Sequence, residues 1–220
     1  MNFDFDFALR IVPQVLEGIG NTVLVAVLSF VGALMLGFVW ELLRRSNGVV
    51  RPIVQFVIDA IRSTPALVQI YFLFFVLPYY GVVLPALFIG IFALSFYYSG
   101  YMAEVFKAGI DAVPVGQTEG AKSLGLNWWD TIVFVVAPQM LRNVAAPLGA
   151  YSIAILKSTP YLAVIAVPEM LGSAMDVASE TYRYAEPMLV AGVLFLVLAL
   201  GAVGLVGKAE RYLGVGAPHR

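Results

Sequence analysis

Five stretches of this chain are each long and apolar enough to cross a lipid bilayer, and they restrict its fold more than any other feature. A crossing helix needs about 20 mostly apolar residues to pass about 30 Å of hydrocarbon. The stretches run from Gly18 to Leu43, from about Ile53 to Leu77, from Leu84 to Phe106, from about Thr131 to Leu156, and from Pro187 to Val206. Hydrocarbon offers no hydrogen-bond partners, so every backbone N–H and C=O in such a segment must be paired inside the protein. Helices meet that demand within one segment. The sequence therefore predicts an all-α integral membrane protein with about five transmembrane helices. The fourth stretch carries Pro138, Arg142, Asn143 and Pro147. It either crosses from its start or begins as a surface segment and crosses from about Val144.

Composition closes off several functions. Charged residues make up 12% of the chain, about half of what a soluble domain carries. There is no cysteine, which removes disulfides, thiol nucleophiles and cysteine metal sites. The single histidine is His219, next to last, so Ser–His and Cys–His catalysis and histidine metal sites lack their key residue. Neither a catalytic nor a metal site is expected. A net charge of −1 provides no basic stripe for nucleic acid. The leader before the first stretch holds Asp4 and Asp6 in place of a basic cluster, and that stretch reads as a retained span rather than a signal peptide.

Lysine and arginine concentrate in cytoplasmic loops. Placing the N-terminus outside puts Arg44, Arg45, Arg51, Lys107, Lys122, Lys208, Arg211 and Arg220 inside, against Arg10 and Arg183 outside. The expected layout is an extracytoplasmic N-terminal segment at 1–17, a transmembrane domain at 18–208 and a cytoplasmic tail at 209–220. The outside segment ahead of the fifth span holds Glu169, Asp176, Glu180 and Glu186, an acidic stretch that either meets a partner or is simply solvated.

One cytoplasmic loop, about 112–130, is too polar and too long for a plain connector. Within "VPVGQTEGAKSLG", Pro114 marks a helix entry and Thr118 is a candidate N-cap. Glu119 then falls in the first turn, where a carboxylate suits the positive end of the helix dipole. Gly125 occupies the position that ends a helix. About two turns of helix are marginal alone in water, so docking against a partner is expected.

The continuation "EGAKSLGLNWWDTIVFVVAPQ" resembles the EAA loop of the membrane-spanning subunits of bacterial ABC importers, with Glu119, Ala121, Gly125 and Pro138 in register. The blocks "GYMAEVFKAGIDAVPVGQTEGAKSLG", "APQMLRNVAAPLGAYSIAILKSTPYLAVIAVPEML" and "RSTPALVQIYFLFFVLP" look like the polar amino-acid uptake subgroup. The likeness extends from Gly18 to Arg211. It implies the type I ABC importer permease fold, with Glu119, Gly120, Ala121, Lys122 and Gly125 on a coupling helix that docks into a cytoplasmic ATPase. It also implies a second permease, either another copy or a related chain, and an extracytoplasmic solute-binding protein. This chain would bind no cofactor, with ATP and Mg held by the partner ATPase. Accordingly, it has no GxxxxGK[ST] phosphate cradle: the nearest approach, "AVGLVGKA", has Ala202 for the first glycine and Ala209 after Lys208. Gly120 replaces the usual alanine of the motif, through drift or through a fit to one partner's groove.

Ionisable groups within spans are costly and face a protein interior or water. Arg62 with Asp59, and Glu104 with Lys107, are i,i+3 pairs that read either as structural salt bridges or, for Arg62 and Glu104, as contacts to a charged solute. The tetrads "RSTP" at Arg62 to Pro65 and "KSTP" at Lys157 to Pro160 should kink or end their helices. Tyr97 and Tyr98 add hydroxyls to the same zone. The candidate solute pathway is thus Arg62, Tyr97, Tyr98, Glu104 and Lys157. The context of Lys157 departs from the subgroup, which includes permeases for ectoine-type solutes as well as polar amino acids. The expected function is import of a small zwitterion across the bacterial inner membrane. A channel or structural subunit without an ATPase is the alternative, and an intramembrane hydrolase is disfavoured by the lack of histidine in the spans.

Overall fold

The computed structural model describes residues 3–46 and 48–212; the end of the expected tail, with His219, lies outside the described residues. Among them every regular element is helical. A short helix α1 (Phe5–Leu16) precedes the span α2 (Ile19–Arg44). The second span, expected from about Ile53 to Leu77, is broken at the first tetrad as its proline leads one to expect. It consists of α3 (Val50–Ser63) and α4 (Ala66–Tyr71), continued by a π turn at Phe72–Val76 and a 3-10 turn at Leu77–Tyr80, with a 98° bend at the junction. Pro65 causes the break, because it has no N–H to donate and pushes Thr64 into an extended conformation. Gln69 bridges the gap by donating to the Ile61 and Thr64 carbonyls at 3.0 and 3.3 Å.

Helix α5 (Ala86–Asp111) is the centre of the molecule, and α2 lies along it. Their approach is close because small residues meet there: Gly32 faces Ser95, and Gly37 faces Met102 and the α5 backbone with no room for a Cβ. Small side chains at such crossings let helix backbones pack in an apolar solvent. Ser29 donates to the Ile91 carbonyl and Trp40 to Ser99 across the same seam. The main core gathers here, around Leu94, Met102, Ile155 and Leu162.

After α5 come the short helix α6 (Val115–Ser123) and one turn, α7 (Trp128–Asp130). The fourth span then proceeds without interruption through a π turn at Thr131–Val136 into α8 (Ala137–Ser158). The helix is continuous from Trp128 to Ser158. Pro138 follows directly on the π turn at Thr131–Val136, and Pro147 lies within α8. The second tetrad ends a helix where the first bends one: α8 stops at Ser158 and a 3-10 segment, Thr159–Ile165, follows. Helix α9 (Met170–Thr181) sits between two residues in the left-handed region, Ala166 and Tyr182. The last span, α10 (Ala185–Tyr212), extends through residues 209–212 of the expected tail. A second, smaller core joins α1, α9 and α10 through Ile11, Val15, Met170 and Ala174.

Candidate functional site

Where the broken second span meets α5 and α8, the molecule contains a cavity of about 410 Å³. Arg62, the last charged residue before the break, projects into it from α3. Helix α5 contributes Tyr101, Glu104 and Ala108, and α8 contributes Asn143, Pro147 and Tyr151. Tyr101 and Tyr151 stand with ring centroids 5.7 Å apart, and the Arg62 guanidinium lies 5.4 Å from the Tyr101 ring centre. A guanidinium over an aromatic face is held by the ring's negative quadrupole. The Tyr101 hydroxyl also donates to the Arg62 carbonyl at 3.3 Å.

Glu104 is the hinge of the electrostatics. Its Oε1 lies 2.6 Å from Arg44 and 3.8 Å from Arg62. Arg44 is almost completely buried and is also held by Glu41, Gln55 and the Ala103 carbonyl. Glu41, itself 1% exposed, binds Arg45 as well, and Arg45 reaches Asp111. A chain of alternating charges thus joins the end of α2 to both the middle and the end of α5. Within it Arg44 is saturated. Arg62 is exposed and makes only the long contacts, 3.8 Å to Glu104 and 3.9 Å to Asp59. Arg45 also has donors to spare, but of the two it is Arg62 that lines the cavity.

Two of the five predicted pathway residues, Arg62 and Glu104, line the cavity. Tyr97 stands behind it, its hydroxyl 3.1 Å from that of Tyr101. Tyr98 is buried and pairs with Ser158 at 2.7 Å. Lys157 is exposed on the last turn of α8 and does not line the cavity. The expected Glu104–Lys107 pair is absent among the described residues; Glu104 turns instead toward the arginines of α2 and α3, accepting from Arg44 at 2.6 Å. Asn143, Tyr151 and the Glu41–Arg44 pair were not anticipated. Charges at i and i+3 closing a 26-residue apolar helix were the one local signal for the last of these.

The predicted coupling segment is a helix, though its start differs from expectation. Thr118 is not the N-cap: α6 begins at Val115 behind an extended Pro114, and Thr118 donates to the Val115 carbonyl inside the helix. The fixed φ of proline sets the entry four residues earlier, which moves Glu119 to mid-helix. Gly125 does end the helix, with φ of +79°. Glu119, Gly120 and Lys122 are exposed while Ala121 is buried. Nothing lies within 4 Å of where a Gly120 side chain would begin, so contacts inside this chain do not require glycine there. Beside α6, Thr118, Lys122, Leu126, Trp128 and Ile132 line a second cavity of about 450 Å³ against the π turn. Val115, Leu124 and Trp129 are largely exposed nearby.

Residues 11–211 match the family described as binding-protein-dependent transport system inner membrane component. A probable amino-acid ABC transporter permease protein of Sinorhizobium fredii is 38% identical, across 100% of this chain and 94% of its own length. The arginine transport system permease protein ArtQ of Bacillus subtilis is 31% identical, across 97% of this chain and 98% of its own. Among solved structures, an amino acid ABC transporter crystallised with histidines superposes with a TM-score of 0.89 at 30% identity, covering 96% of this chain and all of the other. The MetNI methionine transporter, at 15% identity and a TM-score of 0.78, shares the fold.

Proposed function

This chain belongs to the family of binding-protein-dependent transport system inner membrane components, and from that premise we propose how it works as the permease of an amino-acid ABC importer. It is a multi-pass inner-membrane transport subunit rather than an enzyme. The N-terminus lies outside, as the lysine and arginine distribution favours, and α6 then faces the cytoplasm. There its exposed Glu119 and Gly120 dock against a partner ATPase, which carries ATP and Mg. A second permease, either identical or related, completes the membrane unit, and an extracytoplasmic binding protein delivers the solute.

The solute is a small zwitterion, received in the cavity between α3, α5 and α8. The observation that carries this reading is the placing of Arg62 and Glu104, opposite charges 3.8 Å apart on one cavity wall. A zwitterion satisfies both: its carboxylate takes the free guanidinium donors, and its ammonium takes the carboxylate that Arg44 fixes in position. Tyr101 and Tyr151 provide flat apolar walls. The polar amino acids of the relatives fit this arrangement, and an ectoine-type solute shares the same charge pair. Uptake of a zwitterion panel, ectoine included, into vesicles containing the complete importer tests it. Arg62→Gln should abolish uptake while the protein still inserts. Uptake at the original rate would overturn the assignment.

A further inference from the structure

The short helix α1 has three faces, which is one more than an ordinary amphipathic helix. At about 100° per residue, Ala8, Ile11 and Val15 share one face, and all three are buried against α9 and α10. Asp6, Arg10, Gln14 and Glu17 share a second, and all are exposed. Phe5 and Leu9 form a third, about a third of a turn from each of the others. They are apolar, yet 74% and 71% exposed. Among the described residues the Phe3 ring stands 4.8 Å from that of Phe5, yet the Phe5 and Leu9 side chains remain exposed.

The position of α1 identifies what does. Only Glu17 and Gly18 separate it from the span α2, and the first exposed apolar residues of that span, Ile19 and Val23, come at once. The N-terminal end of α1 is tied to the start of the span α10: the Asp4 backbone N–H donates to Glu186, and Asp4 pairs with Arg183. Those charges mark the waterline. α1 therefore lies at the depth where two spans enter hydrocarbon, on the opposite side of the membrane from α6.

We propose that α1 is an interfacial helix, which rests one face on α9 and α10, turns Asp6, Arg10, Gln14 and Glu17 to water, and sinks Phe5 and Leu9 among the lipid acyl chains. An apolar face beside a charged one is the pattern that holds a helix in the plane of a membrane. In this protein the helix also carries Met170 and Ala174 of α9 on its buried face, so the lipid surface becomes a support for α9.

The absence of cysteine makes a direct test clean. Single-cysteine variants Leu9→Cys and Gln14→Cys of the full chain, nitroxide-labelled in phosphatidylcholine nanodiscs, report collisions with oxygen, which enriches in lipid, and with a water-soluble nickel chelate. The label at position 9 should collide severalfold more with oxygen and severalfold less with the chelate than the label at position 14. Equal chelate collisions at both positions would overturn the proposal. So would an immobilised label at position 9 shielded from both agents, since that outcome means a protein, such as a second copy of this chain, covers the face.

Discussion

Glu104 on α5 lies 2.6 Å from Arg44 on α2 and turns the same oxygen toward Arg62 at 3.8 Å. One carboxylate thus neutralises a buried arginine and faces an exposed one at the cavity. Its two roles can be separated. Glu104→Gln keeps the shape but withdraws a charge from Arg44, which retains Glu41 and the Ala103 carbonyl. The expected cost is about 1–3 kcal/mol, read as an earlier thermal transition in detergent. Arg44→Met keeps the Glu104 carboxylate at the cavity but removes the partner that fixes it, at a cost of about 3–5 kcal/mol. Solute uptake per folded molecule should therefore fall further for Glu104→Gln than for Arg44→Met.

The α2–α5 seam tolerates no added volume at Gly37, where a Cβ would meet Met102 and the α5 backbone. Gly37→Leu should separate the helices and cost at least about 1–3 kcal/mol, the usual penalty of overpacking. Gly20, with open space around it, is the control: Gly20→Ala should leave the unfolding temperature unchanged or raise it.

The coupling segment gives an opposed pair. Gly125 has φ of +79°, so Gly125→Val forces a β-branched residue into the left-handed region at about 1–2 kcal/mol. The end of α6 should fray, and stimulation of the partner ATPase by transport should weaken. Gly120→Ala meets nothing within this chain and should strengthen the helix by about 1 kcal/mol. If transport survives Gly120→Ala, the glycine is drift; if transport is lost, the partner's groove requires close approach of the α6 backbone. Glu119→Lys should uncouple ATP hydrolysis from uptake without affecting insertion.

Asp4 predicts an acid limit for the N-terminal segment. Its carboxyl is held below its ordinary value of 3.8 by the Phe7 N–H it accepts and by the Arg183 guanidinium. A depressed folded-state pKa stabilises the folded form above the unfolded value, and that stabilisation is lost as pH falls through the folded value. Hydrogen exchange of α1 amides should thus be unaffected by pH-driven release above about pH 4 and accelerate, relative to α2, only below it. Asp4→Asn should show the accelerated exchange already at neutral pH.

The apolar runs alone determined that this chain is a bundle of membrane helices, because a continuous apolar run of about 20 residues pairs its own backbone groups in hydrocarbon as a helix. Composition alone also removed thiol and histidine chemistry, and the spacing of Glu119, Ala121, Gly125 and Pro138 pointed to α6 as the proposed coupling segment. Local sequence signals reach only a few turns, and the tertiary structure decided what lay beyond that reach. Pro65 announced a break but not its 98° angle, which depends on how α4 packs against α5. Glu104 and Lys107 have the right spacing to pair, yet Arg44 and Arg62 arrive from two other helices with better geometry and take the carboxylate. The cavity is assembled from α3, α5 and α8, residues up to 89 positions apart between Arg62 and Tyr151. No periodicity within a single helix encodes that meeting, because it is set by the small residues that let the helices approach and by the buried charges that fix their register.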